Sequence, residues 1–182
     1  MAERADIDAA GDGAPARPVA TRQALFAYGL AVLVVILDQF AKYWILDVVH
    51  LGQRGPIALL PFLHLTMVWN QGVSYGLLRA DGELGRWGLA AFALAMTLVL
   101  AYVARGVRRP IMVAILGLIM GGAAGNLIDR IRFGAVADFL DFHTRLFPWV
   151  FNVADGAITL GVALFILESF LTRKPETRPP AA

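Results

Sequence analysis

The sequence predicts an all-α membrane protein, a bundle of four transmembrane helices that carries a small extracytoplasmic β element. Its 182 residues are 58% hydrophobic and only 16% charged, and its mean hydropathy is +0.64, which is too apolar for an ordinary soluble domain. The net charge of +2 provides no broad basic field, so we expect no nucleic-acid partner. The absence of cysteine excludes disulfides, thiolate nucleophiles and cysteine metal sites.

Four apolar blocks are long enough to cross a bilayer, which needs about 20 apolar residues per helix. They cover residues 24–46, 84–104, 111–128 and 149–171. Together they define one membrane domain, 24–171. The flanking segments 1–23 and 172–182 are polar and contain proline, which predicts disordered tails. Four crossings place both tails on the same side of the membrane.

Basic residues indicate which side that is, because cytoplasmic loops carry an excess of Lys and Arg. Three regions on one side carry Arg4, Arg17 and Arg22; Arg105, Arg108 and Arg109; and Arg173, Lys174 and Arg178. The longer opposite loops carry Arg54, Arg79, Arg86, Arg130, Arg132 and Arg145, mixed with acidic residues. We therefore expect both termini to be cytoplasmic.

The two outer loops show patterns of their own. From Phe62 to Asn70 the sequence alternates with a period of two, which predicts a strand. A turn at Gln71-Gly72 and a second apolar run, 73–78, suggest a small hairpin or curled sheet on the outer membrane face. The segment 129–148 is both polar and aromatic, which favours a re-entrant or interfacial segment that lines a cavity.

Three glycines in the third span, Gly117, Gly121 and Gly125, recur every four residues. Such a ridge is typical of close helix packing in membranes. We interpret it as structural rather than as a phosphate-binding loop.

Polar residues in three spans converge on one layer near the outer interface. Asp38 and Lys42 in the first span are four residues apart on one helical face and are predicted to pair. The third span ends with polar residues on one face, and the fourth span begins with two more. The remaining members of this layer are Asn126, Asp129, Arg130, Asn152 and Asp155, with Asp138 and Asp141 in the adjoining loop.

A structural polar cluster is one explanation of this layer. However, interhelical contacts more often use Ser, Thr or Asn, and several carboxylates in one layer repel each other unless they are protonated or paired. Two close aspartates in a low-dielectric site share a proton, which supplies an acid and a base at one pH. Such a pair can activate water against a peptide carbonyl without a metal.

Other chemistries find less support. His50, His64 and His143 share no metal-ligand spacing, and neither a Gly-x-Ser-x-Gly nor a His-Glu-x-x-His motif is present. A proton-coupled transporter would also cluster carboxylates, but it favours midplane sites and internal repeats. A metal-dependent phospholipid synthase would use Asp-Gly motifs; Asp155-Gly156-Ala157 is similar to one, but the further paired motifs are absent.

Four sequence blocks together resemble the bacterial lipoprotein signal peptidases, also called type II signal peptidases. They are DQFAK (38–42), WNQGVSYG (69–76), GGAAGNLIDRIRFGAVADF (121–139) and FNVAD (151–155), and they occur in the family's order. The resemblance implies a four-span aspartyl endopeptidase of the bacterial inner membrane. It implies that prolipoproteins are cut just before a diacylglyceryl-modified cysteine. We expect the enzyme to be a monomer without a cofactor or metal, in contact with membrane lipids.

Residue by residue, the resemblance assigns the catalytic pair to Asp138 and Asp155, and it prefers Asp138 over the neighbouring Asp141. The matching positions that would support the site or bind substrate are Asp38, Lys42, Asn70, Gly72, Asn126, Asp129, Arg130 and Asn152. The departures from the family's pattern are mild. Ser74-Tyr75 replaces a small residue followed by Phe, which could alter the substrate rim, and Ala137 stands where Val is common.

The predicted orientation can be tested with reporter fusions. Fusions after Leu171 and within residues 105–109 should report a cytoplasmic location, and a fusion near Gly82 should report the outside, because the basic residues favour that arrangement. Labelling of Arg108 from outside the cell would overturn the orientation.

Overall fold

A computed structural model describes residues 22–72, 82–142 and 149–172 of the protein, and it confirms the predicted fold class. Four helices are long and apolar enough to cross a membrane. They are α1 (Arg22–Tyr43), which continues as a π-helical turn (Trp44–Val48), α3 (Gly82–Ala104), α4 (Pro110–Phe133) and α5 (Val153–Leu171). A short helix, α2 (Leu51–Arg54), follows the π-helical turn.

The largest differences from the predicted span ends are at the end of α4 and the start of α5. Helix α4 continues past residue 128 to Phe133, because its charged last turns end the apolar block but not the helix; it stops at Gly134, which adopts φ 80°. Helix α5 begins at Val153 rather than at 149, because the preceding residues form a strand. Arg22 and Gln23, predicted as tail, belong to α1; residues 1–21 and 173–182 lie outside the described residues.

A four-stranded antiparallel sheet caps one end of the bundle, in the order β1-β2-β3-β4. Its strands are β1 (Ile57–Leu60), β2 (Leu63–Asn70), β3 (Val136–Asp141) and β4 (Val150–Phe151). The predicted strand is confirmed as β2, but its described partners are β1 and β3; the run 73–78, predicted as the second arm of a hairpin, lies outside the described residues.

Within the segment predicted to be re-entrant or interfacial, residues 136–141 form strand β3, which the sequence did not predict. The four residues from Val136 to Phe139 are all buried, including Asp138. A strand that is covered on both faces lacks the alternation of polar and apolar residues by which strands are recognised. A period-two pattern is therefore absent from the sequence at this position.

The sheet is fixed to the bundle by a small apolar core. Ile45 of the π-helical turn and Leu51 of α2 pack against Leu65 of β2 and Phe139 of β3. Each of these side chains is at most 6% exposed. The core therefore fixes the position of β3 relative to the end of the first span.

Helix α4 is the centre of the bundle. In its most apolar stretch 56% of the residues are buried, against 17% in the corresponding stretch of α3 and 11% in that of α5. A Cβ atom on Gly117 or Gly121 would lie 2.9 Å and 2.7 Å from backbone oxygens of α1, which confirms that the ridge serves close packing. At Gly125 a Cβ atom would lie 2.7 Å from Asp38 Oδ2, so this glycine makes room for a carboxylate.

The outward faces of the helices are strongly apolar. Phe26 of α1, Phe92 of α3 and Phe170 of α5 are each more than 60% exposed, at 62%, 66% and 65%. A soluble protein rarely leaves such large apolar surfaces uncovered. Hydrocarbon chains of a bilayer would solvate them.

The packing of α4 predicts a difference between two identical substitutions. Gly121→Ala should lower the Tm in detergent, because the added methyl group overpacks the α1–α4 contact at a cost of about 1–3 kcal/mol. Gly88→Ala in α3 adds a methyl group where no atom lies within 4 Å and serves as the matched control. Equal Tm values for the two variants would contradict the close contact.

Candidate active site

Two aspartates, one on a strand and one on a helix, are held by side-chain amides. Asp138 lies on β3, and Asp155 lies in the first turn of α5. Asn152 Nδ2 donates to Asp138 Oδ1 at 2.6 Å, and Asn126 Nδ2 donates to Asp155 Oδ1 at 2.7 Å. Asn152 Nδ2 also lies 3.2 Å from Asn126 Oδ1, so the two amides form one continuous network between the carboxylates.

The second oxygen of Asp138 is held from the neighbouring strand. Asn70 at the end of β2 donates from Nδ2 to Asp138 Oδ2 at 3.0 Å, and its Oδ1 accepts from Gly72 N at 3.0 Å. Arg130 donates to Gly72 O at 3.3 Å and to Asn126 O at 3.2 Å. Gly72 thus orients the amide of Asn70 and connects it to α4 through Arg130.

The N-terminus of α5 has two caps. Asn152 Oδ1 accepts from Asp155 N at 2.9 Å, as an N-cap residue does. Asp38 Oδ1, from α1, accepts from Ala154 N at 2.9 Å. A carboxylate at this end of a helix also interacts favourably with the helix dipole. Both caps fix the turn that carries Asp155.

Lys42 is fully surrounded by acceptors. Its Nζ lies 2.7 Å from Asp38 Oδ2, which confirms the predicted ion pair, and 2.7 Å from Asp129 Oδ2 on α4. The third contact is Asn126 Oδ1 at 3.4 Å. Lys42 is 2% exposed and both carboxylates are 0% exposed. A buried ammonium with three acceptors satisfies all of its protons, which is the condition for tolerating its desolvation.

Asp129 connects this ion cluster to β3, the strand that carries Asp138. Its Oδ2 also accepts from Ala137 N at 3.1 Å, directly before Asp138. Within the described residues, strand β4 pairs with β3 at Leu140 and Asp141 and does not reach Ala137. At Ala137, Asp129 therefore supplies a hydrogen-bond acceptor that a neighbouring strand would otherwise provide. Its Oδ1 accepts from Gln39 Nε2 at 2.9 Å. Gln39 belongs to the polar end of the first span and to the DQFAK block, but the sequence predicted no role for it.

Burial dominates the electrostatics of Asp138, which is 2% exposed. Desolvation first, and then the negative charge of Asp155, raise the pKa of Asp138 to about 7, against the opposing effects of Asn70, Asn152 and Lys42. None of the ion pairs within the described residues includes either aspartate of the pair. Asp138 can therefore exchange a proton near neutral pH.

The structure brings together the two predicted catalytic aspartates and all eight residues that were predicted to support them. Asp141 Oδ2 accepts from Thr66 Oγ1 at 2.9 Å. Within the described residues, no group of three or more His, Asp or Glu side chains is arranged to hold a metal ion. The arrangement provides an acid and a base from two carboxylates.

This fold and site define a multi-pass membrane protein with an aspartate pair of the kind used in acid–base hydrolysis. Residues 30–171 match the family model described as signal peptidase (SPase) II. The chain is 46% identical to the lipoprotein signal peptidase of Caulobacter vibrioides, over 85% of this chain and 92% of that protein. It is 45% identical to that of Beijerinckia indica subsp. indica, over 82% and 90%.

A solved structure agrees. The chain resembles a bacterial membrane enzyme, determined by the in meso method at 2.3 Å resolution, with a TM-score of 0.69 and 31% identity. The match covers 84% of this chain and 93% of that one. The chain belongs to the signal peptidase II family. It is thus an aspartic peptidase of the class that removes signal peptides from prolipoproteins, and the transporter and phospholipid synthase alternatives are set aside.

The raised pKa of Asp138 predicts an alkaline limit to activity. The shared proton is present below that pKa and is lost as the pH rises through about 7, so kcat/KM on a prolipoprotein should fall there. Because the amide of Asn70 favours the charged form of Asp138, Asn70→Ala should shift the fall in kcat/KM to higher pH. Thr66→Ala, which alters only the bond to Asp141, is the control. A profile that stays flat between about pH 5 and about pH 9 would contradict the proton assignment.

Proposed function

We propose that Asp138 and Asp155 are the catalytic dyad of this peptidase and that its substrates are prolipoproteins cut just before a diacylglyceryl-modified cysteine. The observation that carries the dyad is the asparagine network, which holds two buried aspartates from different elements while no described ion pair neutralises either of them. Every group in this network comes from one chain, which supports activity as a monomer. The names of the relatives support the substrate class.

The proposed reaction uses the two protonation states of the pair. The ionised aspartate accepts a proton from water, whose oxygen forms a bond to the scissile carbonyl carbon. The protonated aspartate donates a hydrogen bond to the developing oxyanion, and a proton then passes to the leaving amine as the C–N bond breaks. Water supplies the hydroxyl of the new carboxyl group and a proton of the new amine.

The amides constrain where the shared proton can lie. Both oxygens of Asp138 already accept from an amide, Oδ1 from Asn152 and Oδ2 from Asn70. A protonated Asp138 must therefore carry its proton at a remaining lone-pair position. Asparagine does not titrate, so these bonds persist while the carboxylates change charge, and the geometry of the dyad is preserved.

We place the dyad near the outer leaflet of the bacterial inner membrane, with both termini in the cytoplasm. The distribution of Lys and Arg supports this orientation. The site lies at the end of the bundle where α1 and α4 end and α5 begins. The basic residues that were predicted to be cytoplasmic flank the opposite ends of these helices.

Substrate lipidation would then set the depth of the scissile bond. Two acyl chains on the cysteine can remain in hydrocarbon beside the bundle, where each buried methylene contributes about 0.8 kcal/mol. This confinement orients the peptide and reduces the entropy lost in reaching the transition state. Asn70 and Arg130 are the residues proposed to hold nearby backbone or ester carbonyls, because both lie at the rim of the dyad next to Gly72.

The dyad predicts the effect of two conservative substitutions. Asp138→Asn and Asp155→Asn should each reduce turnover by at least about 10²–10⁴, because the shape of the side chain is kept while the acid–base function is lost. Expression and membrane insertion should match the unaltered protein, and Asp141→Asn is the control on the same strand. Near-normal turnover by either dyad variant would refute the assignment.

Lipidation predicts a difference between two substrates. The purified protein should cut a diacylglyceryl-cysteine precursor but leave the same unmodified peptide nearly intact at equal concentration. Arg130→Ala should raise KM or lower kcat without unfolding the protein, whereas Arg108→Ala, which removes a charge from the opposite end of the bundle, should change neither. Equal rates on the two peptides would exclude this role of the lipid.

A further inference from the structure

Helix α3 contributes none of the predicted site residues, yet its arginine near the N-terminus reaches the end of α4. Arg86 Nε donates to Arg130 O at 2.8 Å, and Arg86 Nη2 donates to Ile131 O at 2.9 Å. The last carbonyls of a helix have no partner within the helix, and they carry the negative end of its dipole. The guanidinium therefore caps α4 with two hydrogen bonds and a favourable charge.

The cap is held in place from several sides. The guanidinium of Arg86 lies 4.9 Å from the ring centre of Trp87, and Nη1 is 3.3 Å from Glu83 Oε1. Gly134, which ends α4 with φ 80°, donates to Arg130 O at 3.2 Å, so this carbonyl accepts two bonds. A Cβ atom on Gly134 would meet the guanidinium at 3.6 Å. The side chain of Arg86 is 23% exposed.

The turn that Arg86 caps connects both halves of the site. On its helical side, Arg130 donates to the backbone of Asn126, whose side chain holds Asp155. On its strand side, β3 begins at Val136 and carries Asp138 two residues later. A displacement of this turn would therefore change the position of one aspartate relative to the other.

We propose that Arg86 is a positioning residue for the proteolytic reaction, which acts by fixing the α4–β3 turn and hence the relative placement of Asp138 and Asp155. The proposal rests on the proposed function of these two aspartates. Because Arg86 acts on the geometry of the dyad, its loss should affect kcat more than KM.

The test compares Arg86→Met with Arg86→Lys in the full chain, using a diacylglyceryl-cysteine precursor as substrate. Arg86→Met should lower kcat about tenfold to a hundredfold, the effect expected of a small misplacement of reacting groups, with KM changed by less than about twofold. Arg86→Lys, which keeps the charge and can still donate to the carbonyls, should recover part of the loss. Glu83→Gln removes the ion pair but not the cap and should retain normal kcat.

A double variant separates positioning from general stability. Gly134→Ala strains the same turn, so Arg86→Met combined with Gly134→Ala should lose less activity than the product of the two single losses. Unchanged kcat in Arg86→Met would overturn the proposal. So would a loss that Arg86→Lys fails to reduce and that follows the fraction of unfolded protein. If Asp138→Asn is inactive while Arg86→Met is normal, the dyad stands and only this inference fails.

Discussion

The buried ammonium of Lys42 is the interaction on which the rest of the site depends. An unpaired charge in this position would be strongly unfavourable, and removal of one partner from a buried ion cluster typically costs about 3–5 kcal/mol. Lys42 forms an ion pair with both Asp38 and Asp129, and each of these carboxylates has a second task. Asp38 caps the helix that carries Asp155, and Asp129 binds the strand amide next to Asp138. One cation thus connects the helix that carries Asp155 with the strand that carries Asp138.

The four aspartates around this centre divide by the type of donor that holds them. Asp38 and Asp129 each form an ion pair with Lys42 and each accept a hydrogen bond from a backbone amide. Asp138 and Asp155 receive their side-chain hydrogen bonds from asparagines. A neutral donor orients a carboxylate but compensates its charge less than a cation does. The structure therefore holds two of the carboxylates with a cation and the other two with neutral amides.

Local patterns in the sequence predicted the features that depend on short-range spacing. Hydropathy and length predicted four spans, alternation predicted β2, and the spacing of Asp38 and Lys42 predicted their ion pair. Contacts between distant segments could not be predicted in this way, since no pattern connects Lys42 with Asp129 or Arg86 with the end of α4. The choice of Asp138 over Asp141 came from family resemblance, because two aspartates three residues apart on an unrecognised strand look alike in the sequence.

Because of the glycines of α4, the four spans differ in how freely their amino-acid sequences can change. Helix α4 meets α1 so closely that several of its positions admit no side chain at all, and it also supplies Asn126 and Asp129. Helix α3 meets the bundle along a narrower face, rich in alanine, and turns large apolar residues outward. Beyond the first turns of α3, the residues outside this alanine face need only be compatible with lipid. Sequence drift among homologous chains should therefore accumulate in α3, while α4 remains almost fixed.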